Sequence, residues 1–163
     1  MAASEANYFV DIALPIATFI AGFLASRFTL SKSDKLAHKQ RLYENAMNHV
    51  ERQRSAYQAF ASSLRAYVSS EDPGLDLFTE VATSGDHYFR ELKMIGEAIL
   101  SGNVDEYVRD ETLVPALKEA IEKSLPAYYE ALNEIAKKKG FKYSGFPKRS
   151  NYESIYSAVE KFA

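Results

Sequence analysis

The chain has 163 residues, a formal net charge of −2 and 47% hydrophobic residues, a balance that suits one globular domain with a short extra segment and excludes a disordered chain. It contains no cysteine, which rules out disulfides, thiolate metal sites and cysteine nucleophiles. It has no tryptophan but 11 tyrosines and 10 phenylalanines, rings that fill helix interfaces while the tyrosine hydroxyls reach water.

Tyr8 to Ser26 reads YFVDIALPIATFIAGFLAS, 19 residues with Asp11 as their only charge. A helix needs about 20 mostly apolar residues to span the hydrocarbon core, so the run is long enough. Asp11 falls in its first turn, near the headgroups, where a carboxylate costs far less than at the bilayer centre. The run is expected to be a transmembrane anchor over residues 1–28. A buried helix of a soluble core has the same length and composition, and a signal peptide would carry a basic leader that is missing here. Arg27, Lys32, Lys35, Lys39 and Arg41 follow the run and no Lys or Arg precedes it. Positive residues stay inside, which puts the N-terminus outside and the rest in the cytoplasm as a single-pass membrane protein. Ala13, Ala17, Ala21 and Ala25 recur every fourth residue with Gly22 beside them, a small-residue stripe that lets two helices approach in lipid.

Thr29 to Ser33 is a polar breaker, with Ser31 or Ser33 as cap of the next helix. That helix runs from about Asp34 to Ser69. It is expected to be a polar linker and stalk over residues 29–54 and the first wall of a helical bundle from residue 55 to 163. Leu36, Tyr43, Val50, Tyr57 and Leu64 form a seven-residue series. Its companion, Lys39, Ala46, Gln53, Phe60 and Tyr67, is too polar at its start for a sustained two-position heptad, so a coiled-coil stalk is only partly supported.

Glu71-Asp72-Pro73-Gly74 is a turn. The next helix spans Asp76 to about Ser101, its face carrying Leu77, Val81, Tyr88, Leu92, Ile95 and Ile99. Thr83-Ser84-Gly85-Asp86 is a possible break in it, and Ser101-Gly102-Asn103 its end. One or two acidic turns over residues 105–111 lead to a third helix with Leu117, Ile121, Tyr128, Leu132 and Ile135. Pro115 lies in its first turn and Pro126 sits mid-pattern, where a kink or a restart capped by Ser124 is expected. Gly140 closes it. A last helix buries Tyr152, Ile155, Tyr156, Val159 and Phe162. No segment alternates like a strand and no fixed-period repeat stands out. The fold class is therefore all-α: one anchor, then four amphipathic helices in an antiparallel bundle.

Catalytic signals are missing. His38, His49 and His87 are scattered, and no Glu-x-x-His pair, nucleophile elbow or P-loop occurs. No enzymatic activity and no cofactor are expected, and nucleic acid is not an expected partner. Residues 71–111 carry three basic and eleven acidic side chains, a solvated surface with no paired carboxylates. The sharpest polar feature is KKKGFKYSGFPKR, in which Lys137, Lys138, Lys139, Lys142, Lys148 and Arg149 alternate with Phe141, Tyr143 and Phe146. Such a stretch can hold an acidic partner, while three lysines at a helix C-terminus also suit the helix dipole. The expectation is a membrane-anchored interaction or signalling module that self-associates in the bilayer and docks an acidic protein. A membrane-active protein, whose anchor oligomerises into a pore, is the alternative.

Overall fold

The computed structural model describes the backbone from residue 14 and the side chains from residue 32 to Ala163. It divides into two units, residues 1–41 and 42–163. All described secondary structure is helical. The first helix, α1, spans Leu14–Ser69. The expected breaker at Thr29–Ser33 does not interrupt it. That stretch has polar residues but no glycine or proline, and an established helix extends across polar residues at little cost. In the first unit, residues 32–41 form an exposed stretch of this helix. The apolar run Tyr8–Ser26, its stripe of Ala13, Ala17, Ala21, Gly22 and Ala25, and the anchor expected over 1–28 lie outside the residues whose side chains are described. Among the described residues, no helix is long and apolar enough to cross a membrane.

The second unit begins at Leu42 and so takes in residues 42–54, expected in the stalk. The reason is local packing. Ala46 is fully buried, Val50 and Gln53 are half-buried, and the Leu42 carbonyl accepts a hydrogen bond from the Asp105 amide at 3.2 Å.

Helix α2 spans Leu75–Leu100 without a break at Gly85. Gly85 serves a close approach instead: a Cβ there would overlap the ring of Tyr128. The end of α2 follows its sequence. Gly102 takes φ 71°, its amide reaches the Ile99 carbonyl, and the Asn103 amide reaches Ala98, which satisfies the last carbonyls.

From Glu106 to Lys139 the chain is helical throughout, as α3 (Glu106–Val108), α4 (Val114–Glu119) and α5 (Leu125–Lys139). Asp105 caps its start by accepting the Val108 amide at 3.2 Å. Wide π-turns, Arg109–Leu113 and Ala120–Ser124, join the three pieces. In each, an amide bonds five residues back, Val114 to Arg109 and Leu125 to Ala120. The residue after each of these amides is a proline, Pro115 or Pro126. Proline cannot donate to the carbonyl four residues back and its ring crowds that carbonyl, so a widened turn keeps the helix going where a kink or a capped restart was expected. Ser124 makes no cap. The two prolines begin a short repeat, PALKEAI at 115–121 and PAYYEAL at 126–132, eleven residues apart.

The last helix, α6 (Glu153–Phe162), packs on α2 and α4. Ile155 and Ala158 are fully buried, and Gly96 of α2 lies beneath the α6 backbone at Ser154. The core is centred on Phe89, Leu92, Ile95 and Ile99 of α2, with Leu113, Leu117, Leu125 and Leu132 from the 106–139 run.

Candidate functional site

An apolar groove of about 310 Å³ lies between α1, α2 and α5. Its floor is aromatic. Phe60 stacks on Tyr88 with ring centres 6.4 Å apart and meets Tyr128 edge-on at 5.7 Å, while Tyr57 meets Tyr88 at 5.6 Å. Tyr57 and Leu64 form one wall. Ala127, Ala131 and Ile135 form the other, and no charged side chain lines the groove. The Tyr128 hydroxyl donates to the Ala82 carbonyl at 2.7 Å, with Asp86 Oδ1 at 3.1 Å. Burial, reinforced by Asp86, pushes the Tyr128 phenol far up, and burial pushes Tyr88 up as well. Both rings therefore stay neutral across the physiological range, and the groove presents an apolar, uncharged surface of the kind that accepts an apolar helix or ligand.

One turn before the groove, a polar contact joins α1 to α2. Arg52 Nη2 donates to Glu91 Oε1 at 3.0 Å and lies 3.6 Å from Met94 Sδ. Glu91 is buried, 5% exposed, and its Oε2 has no hydrogen-bond partner, as is true of the buried Nδ1 of His49. Burial, with Arg52 adding to it and Glu91 opposing, holds the His49 imidazole below its ordinary pKa. The unfolded chain then binds a proton at His49 that the folded chain resists. Stability should be full above about pH 6.5 and fall as the pH drops from there toward the folded pKa. Replacing His49 by Gln should flatten this part of the pH profile in thermal melts. An unchanged slope in the variant would remove His49 as its source.

A second, polar cleft is lined by Asp86, Arg90, Lys93, Tyr129, Asn151 and Tyr152. Its tyrosine hydroxyls bond to each other at 2.9 Å, and burial raises the Tyr152 phenol, which keeps that ring neutral. Among the described residues no three His, Asp or Glu side chains converge as metal ligands would.

Several side chains of the basic stretch have partners of their own. Phe141 and Tyr143 fold back onto Phe78, at 5.3 and 5.7 Å between ring centres, and Asn133 Nδ2 donates to the Gly145 carbonyl at 2.7 Å. Lys139 pairs with Asp72 at 2.7 Å, which brings the 71–74 turn beside the end of α5. Lys138 reaches Glu134 at 3.8 Å. Arg149 reaches Glu153 and Glu160 and lies over the Tyr156 ring. Lys148 lies over the exposed Phe146. Lys137, Lys142 and Lys148 have no carboxylate partner among the described residues. The ring contacts with Phe78 and the Asn133 hydrogen bond do not involve the loop's charges. Changing Lys138, Lys139, Lys142 and Lys148 together to Ser should leave the thermal melt nearly unchanged; a large drop would mean that the Lys139–Asp72 contact fixes the loop.

A second feature of α1 is an apolar stripe beside the groove. The series Ala46, Gln53, Phe60 and Tyr67 turns toward the body, where Ala46 and Tyr67 are buried. Val50 and Leu64 of the companion series pack partly on the same core, and Met47, Arg54, Ala61 and Val68 follow Tyr43, Val50, Tyr57 and Leu64 four residues on. Together they alternate at spacings of four and three, the a/d spacing of a coiled coil, and seven of the eight are apolar. Tyr43, Met47, Tyr57 and Val68 are 48%, 41%, 54% and 73% exposed. With Val50 and Leu64 partly on the core and the Tyr57 ring meeting Tyr88, only the outer edge of this stripe is open beside the groove.

No protein-family model, curated protein or solved structure matches this chain.

Proposed function

We propose that the chain is a membrane-anchored helical interaction module. Residues 8–26 span a bilayer with the N-terminus outside, and the residues after them form an antiparallel bundle on the cytoplasmic side. The bundle docks an amphipathic helix in the groove between α1, α2 and α5. The observation that carries this reading is the groove itself: it is open, apolar and lined without charge, beside an apolar stripe with helix-pairing periodicity. Small residues at Ala127 and Ala131 leave room on one wall for a second backbone to approach.

The test uses the full chain with a photo-reactive amino acid in place of Ala131. The expected result is a chain that stays with membranes after an alkaline wash and forms a protein adduct on irradiation. The same probe at Asp110, an exposed residue outside the groove, should form none. Release of the chain by the wash sinks the anchor, and the absence of an adduct at Ala131 sinks the docking site.

A further inference from the structure

We propose that the polar cleft lined by α2, α5 and the turn before α6 binds a small molecule carrying a phosphate monoester, held by Arg90 and Lys93. This site is separate from the apolar groove, and nothing in it depends on a helix docking there. Asp86, Arg90 and Lys93 recur at spacings of four and three, so they share one face of α2. Arg90 and Lys93 have no carboxylate within ion-pair distance among the described residues. Asp86, one turn from Arg90, instead accepts the Tyr128 hydroxyl at 3.1 Å. The rest of the lining adds donors. The Tyr129 and Tyr152 hydroxyls lie 2.9 Å apart. Such a pair owns two hydrogens and uses one between its members, and the other meets no acceptor among the described residues. The side-chain amide of Asn151, an exposed residue of the lining, also donates to no group among them.

A guanidinium, an ammonium, an amide and a phenol hydrogen form a donor set for an anion with several oxygens. A phosphate monoester offers three and carries about −1.5 to −2 charges near pH 7, which two cations neutralise. Arginine meets its oxygens with two parallel donors. A carboxylate offers two oxygens and one charge, and leaves one cation unbalanced. The cleft measures about 310 Å³, the space of on the order of ten waters at about 30 Å³ each, so a phosphate leaves room for a small organic group. Among the lining residues Asp86 alone is acidic. It lies about 10 Å from Lys93 along the helix axis, so it opposes the anion from the far end of the row.

Isothermal titration calorimetry of the full chain in detergent at low salt tests this with phenyl phosphate, inorganic phosphate and benzoate. Phenyl phosphate is expected to bind, and benzoate at least about tenfold more weakly. Arg90→Gln and Lys93→Gln should each weaken phenyl phosphate binding about tenfold. Lys118→Gln makes the same charge change on an exposed residue outside the cleft and should leave binding within about twofold of wild type. Asp86→Asn keeps an oxygen for the Tyr128 hydroxyl, removes the opposing charge and should tighten binding about threefold. Arg90 and Asp86 are exposed and Lys93 is half-buried, so the variants keep the fold, and thermal melts check that they do. No binding of phenyl phosphate up to about 10 mM overturns the proposal. So does a loss in Lys118→Gln equal to that in the cleft variants, which means diffuse charge attraction. Unchanged binding in Arg90→Gln and Lys93→Gln overturns it too. Benzoate binding as tightly as phenyl phosphate overturns the phosphate, and inorganic phosphate binding as tightly overturns the ester.

Discussion

Replacing Gly96 by alanine is expected to lower the melting temperature of the full chain by about 4–8 °C, from a net loss of about 2 kcal/mol. The substitution alone favours the helix, since alanine gains about 1 kcal/mol over glycine in a helix interior. Packing reverses that sign. A Cβ at position 96 would lie 2.5 Å from the Ser154 carbonyl oxygen, 2.7 Å from its carbon and 3.0 Å from the Ile155 nitrogen. These are backbone atoms, so no rotamer change relieves the overlap, and α6 itself has to move. That helix is held by Ile155 and Ala158, both fully buried, and by the Ser154 hydroxyl donating to the Lys93 carbonyl at 3.1 Å. Moving it opens the core around Phe89, whose ring meets Tyr152 at 6.0 Å. Gly74→Ala is the control, because a Cβ there meets nothing within 4 Å. Circular dichroism melts in detergent compare the two. An alanine at 96 that melts at or above wild type would show that α6 does not sit tightly on α2.

Much of the fold is legible in the sequence where one physical signal dominates. The face of α2 follows from apolar residues at helical spacing, and its end from Gly102, the residue that takes a positive φ most readily. Gly140 ends α5 for the same reason. The face of α6 is read correctly at Tyr152 and Ile155, although the buried Ala158 does not stand out. Failures arise where one residue type serves two purposes. Gly85 has the composition of a helix breaker, yet its missing side chain makes room for Tyr128, a contact 43 positions away that no local pattern records. Pro115 and Pro126 have the composition of a start and a kink, and the backbone accommodates both by widening one turn. The repeated PA-x-x-EA was available as a signal, since identical local sequence invites identical local solutions.

The candidate site was less legible for a related reason. Pairing Tyr43, Val50, Tyr57 and Leu64 with Ala46, Gln53, Phe60 and Tyr67 finds the side of α1 that packs on the body, where Val50 and Leu64 join the buried Ala46 and Tyr67. The groove lies between three elements, and the periodicity of α1 does not place α2 and α5. The basic loop was visible as charge, whereas the packing of its rings was not: Phe141 and Tyr143 meet Phe78, a contact more than 60 positions away. The groove lies over the rings of Phe60, Tyr88 and Tyr128, which come from three different elements.

The contact that sets α1 against α2 should respond asymmetrically to mutation. Arg52→Ala is expected to destabilise the domain by about 2–3 kcal/mol, while Glu91→Met stays within about 1 kcal/mol of wild type. Both changes delete the same 3.0 Å ion pair. They differ in what remains. Without Arg52, the Glu91 carboxylate is left with 6% of its side chain exposed and no cation, next to an Oε2 that already lacks a partner. Without Glu91, the Arg52 guanidinium turns to water, since its side chain is 52% exposed. That exposure also keeps the first cost below the 3–5 kcal/mol typical of a fully buried pair, because water can enter where Arg52 stood. Methionine in place of Glu91 has nearly the same length and lies beside Met94, so it adds apolar contact where a charge was desolvated. The double variant, Arg52→Ala with Glu91→Met, should recover most of the stability lost in Arg52→Ala alone, a coupling that urea melts of the four proteins measure directly. Equal losses from the two single changes, summed in the double, would mean that the pair acts as an ordinary surface contact and that α1 is held by Ala46, Ala56 and Tyr67 alone. Recovery would identify Glu91 as the residue that requires Arg52, and with it the position of Tyr57, one turn further along, at the edge of the groove.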